Sequence, residues 1–131
     1  MNINKDLLDN LSLRASQSDR LRINMDMRNT SEDNSQRMLN AIEPGTVVPI
    51  HRHRNSTESC ILLRGSAEEV FYDNNGNVTE RVLMEAGSDC VGVNIEKGRW
   101  HTIISLQSGT VIFEAKDGAY EPISPEDILT L

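Results

Sequence analysis

Aromatic residues are scarce in this chain of 131 residues: one tryptophan, two tyrosines and two phenylalanines. So thin a set offers no platform on which nucleic-acid bases could stack. Positive charge is short as well. Lysine and arginine number 13 against 20 acidic residues, for a formal net charge of −7, which argues against nucleic acid and against an anionic membrane surface as partners. The basic residues are scattered, apart from the pairs Arg20/Arg22 and Arg52/Arg54. No apolar run approaches the ~20 residues of a membrane span. The N-terminus, MNINKDLLDNLSL, has no basic segment followed by a continuous apolar one, so no secretory signal is expected and the chain reads as cytoplasmic. The only two cysteines, Cys60 and Cys90, are far apart and form no metal-type pair. They read as free thiols.

Histidine is equally sparse, and there the scarcity is informative. Two of the three histidines, His51 and His53, lie one residue apart in the stretch GTVVPIHRHRNSTESCILLRG from Gly45 to Gly65. Along a strand, residues i and i+2 point the same way. Glu58 follows five residues after His53, and the remaining histidine closes the run Gly98-Arg99-Trp100-His101. Neutral imidazoles with a carboxylate are a ready nitrogen and oxygen set for a divalent transition metal. The expectation is that His51, His53, Glu58 and His101 converge on one such ion in the lumen of a small β-barrel.

Length and pattern are consistent with that. A chain of this size makes one domain around one core. Residues 4–16 predict an amphipathic helix, with Leu7, Leu8, Leu11 and Ala15 on one face and Asn4 as N-cap. From Leu21 the period changes to two: Leu21, Ile23, Met25 and Met27 alternate with polar residues as in a half-buried strand. The polar segment Asn29 to Ser35 reads as a loop. Strands are expected over Met38–Glu43, Val47–His53, Glu58–Leu63, Ala67–Tyr72, Val78–Met84, Cys90–Ile95, Trp100–Leu106 and Val111–Lys116. Asn75-Gly76 is a hairpin signal, because both residues tolerate positive φ. Many short strands separated by Gly and Asn turns argue for an all-β sandwich or barrel. Ser124-Pro125-Glu126-Asp127 predicts one short helical turn near the C-terminus.

The motif spacing carries a resemblance. Gly45, five residues, His51-x-His53, four residues, Glu58, six residues, Gly65 is similar throughout to the first motif of the cupin superfamily. Gly98-x-x-His101 resembles the core of the second, although Glu96 stands where the family has proline and Ser105 where it has asparagine. The segments Gln36 to Gly45, His51-Arg52-His53-Arg54 and Glu114 to Tyr120 further resemble the WbuC family of small cupin-fold metalloproteins. The resemblance implies a double-stranded β-helix (jelly-roll) barrel over residues 20–131, with residues 1–19 as an N-terminal helical extension. It also implies one metal, for which zinc, iron, manganese, nickel, cobalt and copper all suit the donor set. A homodimer is expected, since cupin barrels commonly pair and the leucine face of the helix needs a cover.

Alternation from the ligands places Pro49, Cys60, Leu62, Ile103 and Ser105 inward, and Arg99 too if its strand begins that early. Trp100 then faces the opposite side, under the helix or at a dimer contact. Every histidine is spent on the metal, so the candidates for proton transfer are Glu114, Lys116 and Tyr120. Arg37, Arg54 and Lys116 are the candidates for holding an anionic or polyhydroxylated small molecule. Two functions follow from different classes: a metal-dependent enzyme acting on a small, sugar-like molecule, and a non-catalytic metal-dependent binding or sensing module.

Overall fold

The computed structural model describes all 131 residues. It opens with a helix, α1 (Lys5–Gln17), whose first turn is capped by Asn4: the side-chain oxygen accepts from the Leu7 amide at 3.0 Å. Ten strands follow in two antiparallel sheets. One takes β1 (Arg22–Asp26), β2 (Ser35–Ile42), β4 (Glu58–Arg64), β7 (Gly92–Ile95) and β9 (Val111–Asp117), in the spatial order β1-β2-β9-β4-β7. The other takes β3 (Ile50–His51), β5 (Ser66–Tyr72), β6 (Val78–Glu85), β8 (Trp100–Ser105) and β10 (Ile128–Leu129), in the order β10-β3-β8-β5-β6. The expected jelly roll is therefore present, as two facing sheets of five strands rather than one continuous hydrogen-bonded ring.

Two apolar clusters divide the core between them. Between the sheets, Ile42, Cys60, Leu62, Ala67, Met84 and Ile112 close one end of the sandwich. On the outer face of the first sheet, Leu11 and Ala15 of α1 pack on Leu39, Ala41 and Val111, with Ile23 and Met25 beside them. The helix thus finds its cover within its own chain, which removes one of the two reasons for expecting a dimer. Trp100 does not lie under it. The indole is on the other sheet, where Nε1 donates to Asn74 Oδ1 at 2.9 Å and the Arg52 guanidinium lies 4.4 Å from the ring centre.

One turn and one strand differ from their sequence reading. At Asn74–Asn77 only Gly76 takes positive φ, at 83°. The Gly76 amide bonds the Asp73 carbonyl at 3.2 Å, and the Asp73 carboxylate accepts from the amides of Asn75 and Asn77, both at 2.9 Å. The side chain of Asp73 closes this turn, and a register shift follows at Phe71/Tyr72, as in hairpins built on a type I turn and a bulge. The predicted strand Val47–His53 shrinks to Ile50–His51. The C-terminal segment supplies its partner: Ile128 pairs with His51 and Leu129 with Ile50. The turn before β10, Pro125–Asp127, is 3-10 and follows Ser124 as expected.

Candidate metal centre

The three histidines meet in the mouth of the sandwich. His51 on β3 stands directly opposite His101 on β8, and theirs is the one registered pair between those strands. His53 lies just past β3. Its carbonyl accepts from the Gly98 amide at 2.7 Å, so the loop carrying the first two histidines is tied to the turn that introduces the third. That turn is closed by the Arg99 amide on the Glu96 carbonyl at 3.3 Å, with Gly98 at φ 83°. Glutamate in place of the family's proline does not prevent it from forming.

One nitrogen from each ring lies within 4.8 Å of the other two. The ring centres of His51 and His101 are 4.4 Å apart, and His53 is 5.1 Å and 5.9 Å from them. Glu58, at the start of β4 on the facing sheet, brings Oε2 to 3.4 Å from His53 Nε2 and 3.5 Å from His101 Nε2. These separations suit donors arranged around one ion better than hydrogen bonds. His53 Nε2 and Glu58 Oε2 are indeed buried without a hydrogen-bond partner. Two of the rings are oriented from behind. His51 Nδ1 lies 2.8 Å from the Pro49 carbonyl and His101 Nδ1 2.9 Å from the Arg99 carbonyl. A carbonyl can only accept, so each Nδ1 carries the hydrogen and each Nε2 keeps a lone pair for a ligand. The residues fit a divalent metal held by three imidazoles and one carboxylate.

Electrostatics agree with that fit. Burial, and then the neighbouring His101, push His51 down to about 4, so the ring is neutral at physiological pH, as metal binding requires. Burial pushes the Glu58 carboxyl up, but its polar neighbours, the Lys116 ammonium among them, hold the group well below the usual carboxylate range. Behind Glu58 lie two more carboxyls. Burial and the Glu58 charge raise Glu114 to about 8. Burial, then Glu58 and Glu114, raise Glu69 well above its ordinary value. Three carboxyls so close together in a dry cup cannot all be charged at neutral pH.

The metal-facing cavity measures about 460 Å³, within the range of small-molecule sites. Pro49, Cys60 and Ile103 line it as alternation requires. Ser105 turns its hydroxyl to the Ile42 carbonyl at 2.8 Å. Arg99 precedes β8 and does not line the cavity. Its guanidinium lies over the Phe71 ring and pairs with Glu80. Glu114 and Lys116 do face inward, Nζ to Oε2 at 3.4 Å, and Asn40 Nδ2 donates to Glu114 at 2.6 Å. Tyr120 stands exposed at the rim. Arg54 is also at the rim, with Nε on Asp127 at 2.6 Å. Arg37 is on the other face of β2. Its guanidinium donates to Ser35 Oγ and the Met27 carbonyl, away from the cavity.

Glu69, Asn40, Arg20 and Arg22 line the same cavity and were not singled out from sequence. The alternation of β5 does carry a signal for Glu69. It is two residues from Phe71, which pairs with His101, so both share the inner face.

Comparison with known proteins follows this geometry. Residues 3–84 match the family model described as Domain of unknown function (DUF6016). No curated protein matches the chain. Among solved structures, KdgF from Halomonas sp. is similar at a TM-score of 0.61 and 12% identity, over 76% of this chain and 81% of that one. Oxalate decarboxylase from Bacillus subtilis gives 0.59 and 19% identity over 84% of this chain, which spans only 27% of that protein. Oxalate oxidase in complex with glycolate gives 0.64 and 12% identity, over 83% and 57% of the two chains. At these identities the likeness shows the fold alone, and the fold is that of the cupins.

Proposed function

Given that the chain belongs to the family described as Domain of unknown function (DUF6016), which assigns no activity, we propose from its own site that it is a metal-dependent cupin that binds, or acts on, a small polar molecule in the cup. The observation that carries this reading is the pair of buried, unpartnered atoms His53 Nε2 and Glu58 Oε2, aimed at one point beside His51 and His101. Leaving such atoms unsatisfied costs about 1–3 kcal/mol each, and one divalent ion satisfies them together. Zinc, iron, manganese, nickel, cobalt and copper remain the candidates. Oxalate decarboxylase, a neighbour in fold, has Mn(II) centres. When bound, such an ion would supply Lewis acidity to an oxygen of the ligand.

The chain's own groups would do the rest. The apolar floor excludes water, and the carbonyls of Pro49 and Arg99 hold two rings in place. Glu114 and Lys116, which line the cup, would be the groups to move a proton, with Tyr120 at the rim. All three histidines are committed to the ion, which keeps the second reading alive: a binding or sensing module without turnover. The reading also includes a cytoplasmic homodimer related to WbuC proteins. Its support is the sequence resemblance and two free thiols.

The decisive experiment loads the protein with manganese and measures water-proton relaxation. Exchangeable water on the ion means open positions for a ligand, whereas none means a metal that only staples the fold. A screen of the loaded protein against sugar nucleotides then separates turnover from binding alone.

A further inference from the structure

We propose that the cup takes a polyhydroxylated anion, with its anionic group on Arg20 and Arg22 and its hydroxyls on Glu69 and Asn40. This rests on the reading of the cup as a small-molecule site and specifies what enters it.

The cavity wall at the start of β1 holds two cations with no carboxylate within 4.0 Å. Arg28, Arg37, Arg52, Arg54, Arg64, Arg81 and Arg99 each have a carboxylate within 4.0 Å. Arg14, exposed on α1, Arg20 and Arg22 have none, and of these Arg20 and Arg22 line the cavity. Arg22 faces inward because its neighbours on β1, Ile23 and Met25, are taken up beneath α1. It lies on the edge strand opposite Ile42. Burial first, and then the charge of Arg20, work against its ionised form, and Glu114 only partly offsets them. Two like charges in one cavity wall repel each other, and an anion between them offsets that cost. In a chain with 20 acidic residues, a local pair of unpaired guanidiniums is a departure that carboxylate or phosphate matches geometrically.

The wall formed by β2 and β5 has the opposite need. Glu69 is only 2% exposed and lines the cavity. Asn40 spends its amide nitrogen on Glu114, and its Oδ1 is buried without a partner. Buried polar groups of this kind call for hydrogen-bond partners. Hydroxyl groups meet that need and add no charge beside Glu58 and Glu114. Both walls belong to a single cavity of about 460 Å³, so one ligand that carries hydroxyls and an anionic group satisfies both.

The test is calorimetric titration of the zinc-loaded full chain with D-glucuronate and D-glucose 6-phosphate, alongside D-glucose, acetate and inorganic phosphate. At least one of the first two is expected to bind about tenfold or more tightly than the last three. The stronger of the pair tells carboxylate from phosphate. The double variant Arg20→Gln/Arg22→Gln should bring that ligand down to the level of glucose. Glu69→Leu should weaken both polyhydroxylated anions while leaving acetate and phosphate unchanged. Wild-type affinity for the anion should also fall as salt rises. The proposal is overturned if acetate or phosphate binds as tightly as the sugars, if the double variant binds unchanged, or if neither polyhydroxylated anion binds at millimolar concentration. Zinc content measured on the same samples keeps the two readings apart: wild type without zinc defeats the metal assignment, and zinc-replete double variant with undiminished binding defeats this one.

Discussion

The carbonyl of His53 accepts a hydrogen bond from the amide of Gly98 at 2.7 Å. That one bond joins the loop of the first motif to the turn of the second, and so fixes the distance between His53 and His101. Gly98 has φ 83°, and a Cβ built on it meets nothing within 4 Å. Gly98→Ala is therefore expected to cost about 1 kcal/mol, from backbone strain alone. Gly65, with φ 91°, is different: its added Cβ would come within 2.7 Å of Thr110 Cα. Gly65→Ala should cost at least about 2 kcal/mol, strain and overpacking together. Urea denaturation of both variants checks the order. Equal losses would mean that Thr110 moves aside.

Metal content is the next measurement. Wild type is expected to retain one divalent ion per chain after dialysis. His51→Ala, His53→Ala, His101→Ala and Glu58→Gln should each retain markedly less, while Arg81→Ala, on the outer surface, matches wild type. Elemental analysis decides the matter, and unchanged metal in the histidine variants would sink the assignment.

The C-terminal segment gives a pH prediction. Arg54 and then Arg52 hydrogen-bond the Asp127 carboxylate and hold it down to about 2, against an ordinary value of 3.8. The folded-state value is depressed, so the stabilisation is full above about pH 4 and is lost as pH falls through about 2. Asp127→Asn should flatten the acid limb of the stability profile in that window, with β10 the first element to loosen. Thermal melts between pH 2 and 6 would show it. An acid limb as steep as that of wild type would mean that the two arginines do not hold Asp127 in solution.

The helix is integral to the core. Leu11 is 1% exposed and packs on Leu39, Ala41 and Val111. Leu11→Ala should cost about 2–5 kcal/mol and lower the midpoint of the whole cooperative transition. A loss confined to helical signal, with the sheets melting as before, would instead make residues 1–19 a separable extension.

Local chemistry made much of this protein legible in its sequence. Glu58 and Cys60 share a face because strand side chains alternate, and the spacing His51-x-His53 marks two rings that do meet, although β3 ends at His51. The Asn4 cap and the leucine spacing located α1 to within a residue or so. Alternation lost its power where a strand is covered on both sides. In β2, α1 buries Leu39 and Ala41 while the cup takes Asn40 and Ile42. Polarity along that strand therefore does not tell inside from outside, and Arg37 was assigned to the cup when it lies on the other face. The short strand β3 was equally illegible, because its partners are His101 and the distant Ile128 and Leu129, and pairing between remote segments leaves no local pattern. Which arginines keep counter-ions was decided the same way. Asp127 claims Arg52 and Arg54 from more than seventy residues away, and only the folded chain shows that nothing comparable reaches Arg20 and Arg22.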